Sequence, residues 1–209
     1  MNNKGHIYLV DDDFEIRIHL GDLLRQSGYS VTDYGSATDF LTLANRISPT
    51  VLVLDMRMPL MTGLDLQKAL IAQAWHLPII YMSGESYSQE IIDAMKCGAV
   101  DFLWKPFSHS QLLHAVEKGL ALDLNFRQNE ARLRQVDSLY QTLSSREKLI
   151  FSLMLLGHGN KRIAAISDLM ADTVKKYRAQ VMVKMQVDSL ADLLSFCKDF
   201  DTMTDSDQR

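Results

Sequence analysis

The chain has 209 residues, of which 47% are hydrophobic, with 22 Lys and Arg against 26 Asp and Glu; that is enough for one large domain or two ordinary ones with normal buried cores. No apolar run approaches the roughly 20 residues of a membrane span, and the first ten residues fit no signal peptide. Cys97 and Cys197 cannot frame a disulfide scaffold, so a reducing, cytoplasmic location without membrane association is expected.

Five short strand-like runs open the chain, four of them apolar and each ending on a reactive group. Residues 6–10 stop at Asp11, Asp12 and Asp13; 51–54 stop at Asp55; 78–82 stop at Ser83; 102–104 stop at Lys105. The fifth run is 30–34. Between them lie stretches with helical spacing. One, 14–27, carries Ile16, Leu20, Leu23 and Leu24 and stops at Gly28; another, 64–74, carries Leu66, Leu70 and Ile71; a third, 91–97, stops at Gly98. Alternating strands and helices imply right-handed crossovers and a parallel sheet covered on both faces, and the nearly all-apolar strands agree.

In such a sheet, ligands sit beyond the carboxyl ends of the strands at the switch in strand order. That edge collects Asp11, Asp12, Asp55, Ser83 and Lys105. Clustered carboxylates repel unless a proton or cation intervenes, and carboxylate, carbonyl and water oxygens suit Mg²⁺. Lys105 offers a compact charge for a phosphoryl group, and Ser83 offers a hydroxyl donor. The set suits attack on phosphorus by Asp55, with Mg²⁺ and Lys105 absorbing charge. A phosphatase using Asp11 as nucleophile and Asp13 as acid is the enzymatic alternative; taken singly, Asp13 is as well placed to start the following helix.

Val10-Asp11-Asp12-Asp13, the run from Leu54 to Gly63, Ser83-Gly84 and Lys105-Pro106-Phe107 together resemble the receiver domain of bacterial response regulators over about residues 5–120. The resemblance implies a flavodoxin-like, doubly wound, five-stranded parallel α/β fold with Asp55 as phosphoacceptor. It implies Mg²⁺ held by Asp12, Asp55 and the main-chain carbonyl of Arg57, with Asp11 acting through water. It also implies Phe102 as a switching aromatic beside Ser83, and a cis bond before Pro106.

Beyond residue 120 the strand pattern ends. Leu133, Val136, Tyr140 and Leu143 form one apolar seam, read either as a pairing surface for a second copy or as a lone helix folded on its own domain. Residues 144–187 then carry eight Lys and Arg against three Asp and Glu, whereas 1–120 carry nine against fourteen. A basic segment in an acidic chain points to a local polyanion partner or to a solvated helix face. Ser144 or Ser145, with Glu147, caps a helix; residues 157–161 turn into a second; a third begins at Thr173 and crowds Lys175, Lys176 and Arg178 into its first turns, with Val174, Val181 and Met185 on its inner face.

This segment resembles the LuxR-type helix-turn-helix over about 143–197, and the whole chain resembles a FixJ-type response regulator. Carried over by position, Lys175, Lys176 and Ala179 face the major groove, while Lys161, Thr173 and Arg178 meet phosphates. The implied organisation is a receiver at 1–120, a helical linker at 121–142 and a small all-α helix-turn-helix domain at 143–209. The implied function is not that of a turnover enzyme. A sensor histidine kinase phosphorylates Asp55, and a phosphorylation-dependent homodimer then binds double-stranded promoter DNA and regulates transcription, in the activating sense, with RNA polymerase a further candidate partner. Three departures matter. Ser167 stands where a core Leu is usual, with Ile166 as its neighbouring substitute; Met170 replaces a capping Ser; Tyr177 replaces a common His. The alternative they raise is a phosphorylation-switched protein-interaction module with a degenerate DNA-binding domain.

Overall fold

A computed structural model describes residues 4–85 and 88–200. The described residues divide into two compact units, one ending at Arg127 and the other beginning at Gln128. The first unit is built on β1 (His6–Val10), α1 (Phe14–Gln26), β2 (Ser30–Tyr34), α2 (Ala37–Leu43), β3 (Thr50–Asp55), α3 (Gly63–Ala72), β4 (Ile79–Ser83), α4 (Ser88–Lys96) and β5 (Asp101–Trp104). The five strands form a parallel sheet in the order β2-β1-β3-β4-β5. The sequence reading anticipated all five strands but did not single out α2.

Strand alternation builds two apolar layers. Tyr8, Val10, Leu52, Leu54, Ile79 and Tyr81 pack with Phe40 of α2, Leu66 and Leu70 of α3 and Ala94 of α4. Ile7, Leu9, Val51, Val53, Ile80 and Met82 pack with Leu20 and Leu24 of α1. Helices therefore cover both faces, which is why the central strands are mostly apolar between their ends. Gly28 and Gly98, at φ +94° and +91°, follow α1 and α4 as the expected helix stops.

A single helix, α5 (His109–Tyr140), begins in the first unit and ends in the second. Leu112, Ala115, Val116 and Leu120 belong to the second layer of the sheet. Further along, Val136 and Tyr140, with Leu143 just beyond, are buried in the core of the second unit. Three of the four seam residues thus pack in the core of the second unit, as in the reading of a helix folded on its own domain, while Leu133 is half-buried.

The second unit continues with α6 (Ser145–Leu155), α7 (Asn160–Ser167), α8 (Ala171–Lys184) and α9 (Leu190–Phe196). Its core joins Ile150, Phe151, Met154, Ile163, Val174, Val181, Met185 and Leu193. Ser144 is the cap of α6: its side chain accepts from Glu147 N–H while the Glu147 carboxylate accepts from Ser144 N–H at 2.7 Å. Ile166 is 44% exposed and does not replace the missing core residue at 167. Ser167 instead turns its hydroxyl back to the Ile163 carbonyl at 2.7 Å, satisfying itself within α7. Among the described residues no helix is long and apolar enough to cross a membrane.

Candidate functional site

The strand order reverses between β1 and β3, and the two strands deliver Asp11 and Asp55 to that point. Both are buried, as is Ser83 at the end of β4. Lys105, just beyond β5 and preceding a cis bond to Pro106, closes the cluster. Its Nζ donates to Asp11 Oδ2 at 2.8 Å and to Asp55 Oδ1 at 2.6 Å. The remaining oxygens are also engaged: Asp13 N–H donates to Asp11 Oδ1 at 2.9 Å, and Arg57 N–H donates to Asp55 Oδ2 at 2.8 Å.

Burial raises the Asp55 carboxyl above the ordinary carboxylate range; Lys105 and the Arg57 N–H pull it down without cancelling that effect, and Asp11 adds to the rise. For Lys105, burial disfavours the ammonium, but the two carboxylates outweigh it and raise its pKa. The outcome is a buried carboxylate with an unfavourable negative charge, held beside a cation that stays charged. That is the condition in which added phosphoryl and metal charges can be redistributed.

Asp12 is exposed, while the Arg57 guanidinium lies 3.4 Å from Glu90 of α4. No group of three or more His, Cys, Asp or Glu side chains among the described residues is arranged to hold a metal ion. Mg²⁺ does not require such a group, since it takes one or two carboxylates and fills its octahedron with water and phosphate. Two buried carboxylates already converge on one cation, the Lys105 ammonium. This oxygen donor set fits a hard divalent ion.

Ser83 Oγ donates to the Glu85 carbonyl at 2.8 Å and accepts from Glu85 N–H at 3.2 Å. Phe102, one strand over, is half-buried and meets Trp104 edge-on at 5.1 Å. Asp13 caps α1, its Oδ1 accepting from Glu15 and Ile16 N–H, which occupies the proton donor of the phosphatase reading. Arg17 escaped the sequence reading. Its Nη1 donates to the Asp11 carbonyl at 2.7 Å while its Nε faces Asp33 at 3.7 Å, pinning the acidic loop from one turn inside α1. A basic residue four places after a capping Asp was the only available signal.

In the second unit, α8 sets Val174, Val181 and Met185 inward and leaves Lys175, Lys176 and Ala179 exposed. Lys161, near the start of α7, is exposed; Thr173 is half-buried. Arg178 is half-buried, and its Nη1 donates to the His158 carbonyl at 3.1 Å, tying α8 to the turn before α7. Met170 occupies the cap of α8, 78% exposed and without a side-chain capping bond. Lys184 Nζ reaches Glu147 at 2.7 Å, joining α8 to α6.

Known proteins resemble this chain over both units. Residues 7–117 match the response regulator receiver domain, and 141–197 match the bacterial regulatory proteins of the luxR family. Response regulator protein TodT of Pseudomonas putida is 39% identical over 188 residues, covering 90% of this chain and 83% of the relative. Transcriptional regulatory protein FixJ of Bradyrhizobium diazoefficiens is 37% identical over 194 residues, covering 93% and 95%. The solved structure of response regulator StyR is 36% identical, covers 93% of this chain and 98% of that one, and superposes with a TM-score of 0.77.

Proposed function

Because the chain belongs to the response regulators that join a receiver domain to a LuxR-type DNA-binding domain, we propose that Asp55 is its phosphoacceptor and that phosphorylation there controls binding to promoter DNA. The observation that carries the reading is the Lys105 ammonium shared between buried Asp11 and Asp55 at the switch point of the sheet.

A carboxylate oxygen of Asp55 attacks the phosphorus of a phosphohistidine on a sensor kinase, forming an acyl phosphate and releasing the histidine nitrogen. Asp11, Asp12, Asp55 and the Arg57 carbonyl would hold Mg²⁺, which when bound neutralises charge on the phosphoryl oxygens. Lys105 shifts one hydrogen bond from the carboxylate to a phosphoryl oxygen. Ser83 turns its hydroxyl from the Glu85 carbonyl to another. Withdrawal of Ser83 opens space for Phe102 to move inward, and the surface of α4 and β5 changes shape. Residues 86 and 87, part of the face assigned to this change, lie outside the described residues. The altered face pairs two copies, which bring two α8 helices to one duplex; Lys175, Lys176 and Ala179 meet base edges, and Lys161, Thr173 and Arg178 meet phosphates.

Incubation with acetyl phosphate and Mg²⁺ tests the chemistry. Acid-labile phosphate appears on the natural chain and is absent from Asp55→Asn; equal labelling of both refutes the assignment. The interaction-only alternative draws on the uncapped α8, and gel shifts with and without beryllofluoride decide it, since specific duplex binding excludes that reading.

A further inference from the structure

We infer that the reading face of α8 extends beyond Lys175, Lys176 and Ala179 to Val183 and Gln180, and that Val183 recognises a thymine methyl group. The inference rests on the DNA-binding role proposed above and adds to it the sequence that is read.

The argument starts from the core side of α8. Val174, Val181 and Met185 are fully buried and define the inward direction of the helix. At 3.6 residues per turn, the direction opposite Val174 falls about 180° away. Val183 sits there, with Ala179 and Lys176 to either side of it and Gln180 next to Lys176. All four are exposed, Val183 at 77%. Lys176, Ala179, Gln180 and Val183 are spaced at steps of three, one and three, so they form one outward stripe along two turns.

Val183 is too exposed to contribute much to the core beneath it. A β-branched residue is a poorer helix former than Ala, and at this exposure it buries little apolar surface. Its setting identifies the missing partner. Lys176 lies in the stripe and Lys175 is exposed on its flank, and both draw it toward a polyanion, so the surface meeting Val183 is a nucleic-acid groove. Within a major groove the apolar group exposed on a base edge is the thymine C5-methyl. Gln180, one step around the helix, has the amide that pairs with adenine N6 and N7. The stripe therefore calls for an A·T-containing segment next to the bases read by the two lysines.

Selection from random duplexes, using the full chain with Mg²⁺ and beryllofluoride, tests this directly. The selected duplex is then remade with deoxyuridine at each thymine in turn, which removes only the methyl group. One thymine per half-site is expected to matter for the natural chain, with affinity falling about fourfold, the worth of one buried methyl. Val183→Ala, which substitutes a better helix former, should bind thymine and uracil duplexes equally, and Val183→Thr, which keeps one methyl, should restore the difference. Gln180→Ala should relax the preference at one A·T pair by about fivefold or more. If Val183→Ala retains the full uracil penalty and Gln180→Ala the full base preference, the inference is overturned while DNA recognition stands. If no duplex is enriched by the natural chain, the DNA-binding reading itself fails, and this inference with it.

Discussion

Asp55 and Lys105 make opposite contributions to stability although they touch. The Asp55 carboxyl has a folded pKa above the ordinary range, with burial the largest cause. A raised carboxyl pKa favours the folded state only while protonated, and that contribution is lost as pH rises through the folded pKa. At neutral pH the charge on Asp55 is thus a burden, and Asp55→Asn should raise the unfolding temperature at pH 7, with the gain shrinking toward about pH 4; scanning calorimetry across that window checks it. Lys105→Ala should do the reverse. It leaves the 2% and 10% exposed side chains of Asp11 and Asp55 facing each other without a cation, and should cost about 3 kcal/mol in urea unfolding at pH 7. Candidate site residues of this kind were legible because each follows or ends an apolar strand, where a charged group has no structural reason to recur. Arg17 and Arg178 were not. Each finds a main-chain carbonyl through a long side chain, and only the folded loop determines which carbonyl lies within reach.

The α6 cap links local sequence to tertiary packing. Glu147 is buried, closes the capping box with Ser144 and pairs with Lys184 of α8. The Lys184 hydrogen bond is the main reason its carboxyl lies below the ordinary range, burial notwithstanding. A depressed pKa stabilises above the unfolded value, and the benefit is lost as pH falls through the folded one. Glu147→Ala should therefore destabilise the second unit by about 1–3 kcal/mol at pH 7, measured by helix melting in circular dichroism, and by less below about pH 4. The box was readable from Ser144 and Glu147 because its spacing is fixed. Two helices show the limits of such reading. The seven-residue α2 buries only Ala37 and Phe40, too few positions to mark a period. The length of α5 was not read from the sequence, which divides the chain at residue 120 within it; Gly119, where a Cβ would lie 2.6 Å from Val51 Cγ2, permits helix and sheet to approach and the helix continues through it.

Across the whole molecule, charge divides with the two proposed roles: the segment 1–120, which carries Asp55, is acidic, and 144–187, which carries the proposed DNA contacts, is basic. If Lys161 contacts only phosphate, Lys161→Ala should weaken binding to every duplex alike and reduce the logarithmic salt slope by about 1, whereas Lys176→Ala should relax preference at particular base pairs. Titrations across a range of salt concentrations separate the two effects. The spacing of the two modules provides the final test. A symmetric pair of α8 helices on one face of a duplex requires half-sites about 10–10.5 base pairs apart, or multiples of that. Inserting five base pairs between half-sites turns the second onto the opposite face, so the tight complex formed with beryllofluoride and Mg²⁺ should fall to the affinity of one half-site; inserting ten should restore much of it. Without beryllofluoride the three duplexes should bind alike. Should the phosphorylated form prove indifferent to spacing, each copy grips DNA alone, and the link from Asp55 to the promoter does not run through dimerisation.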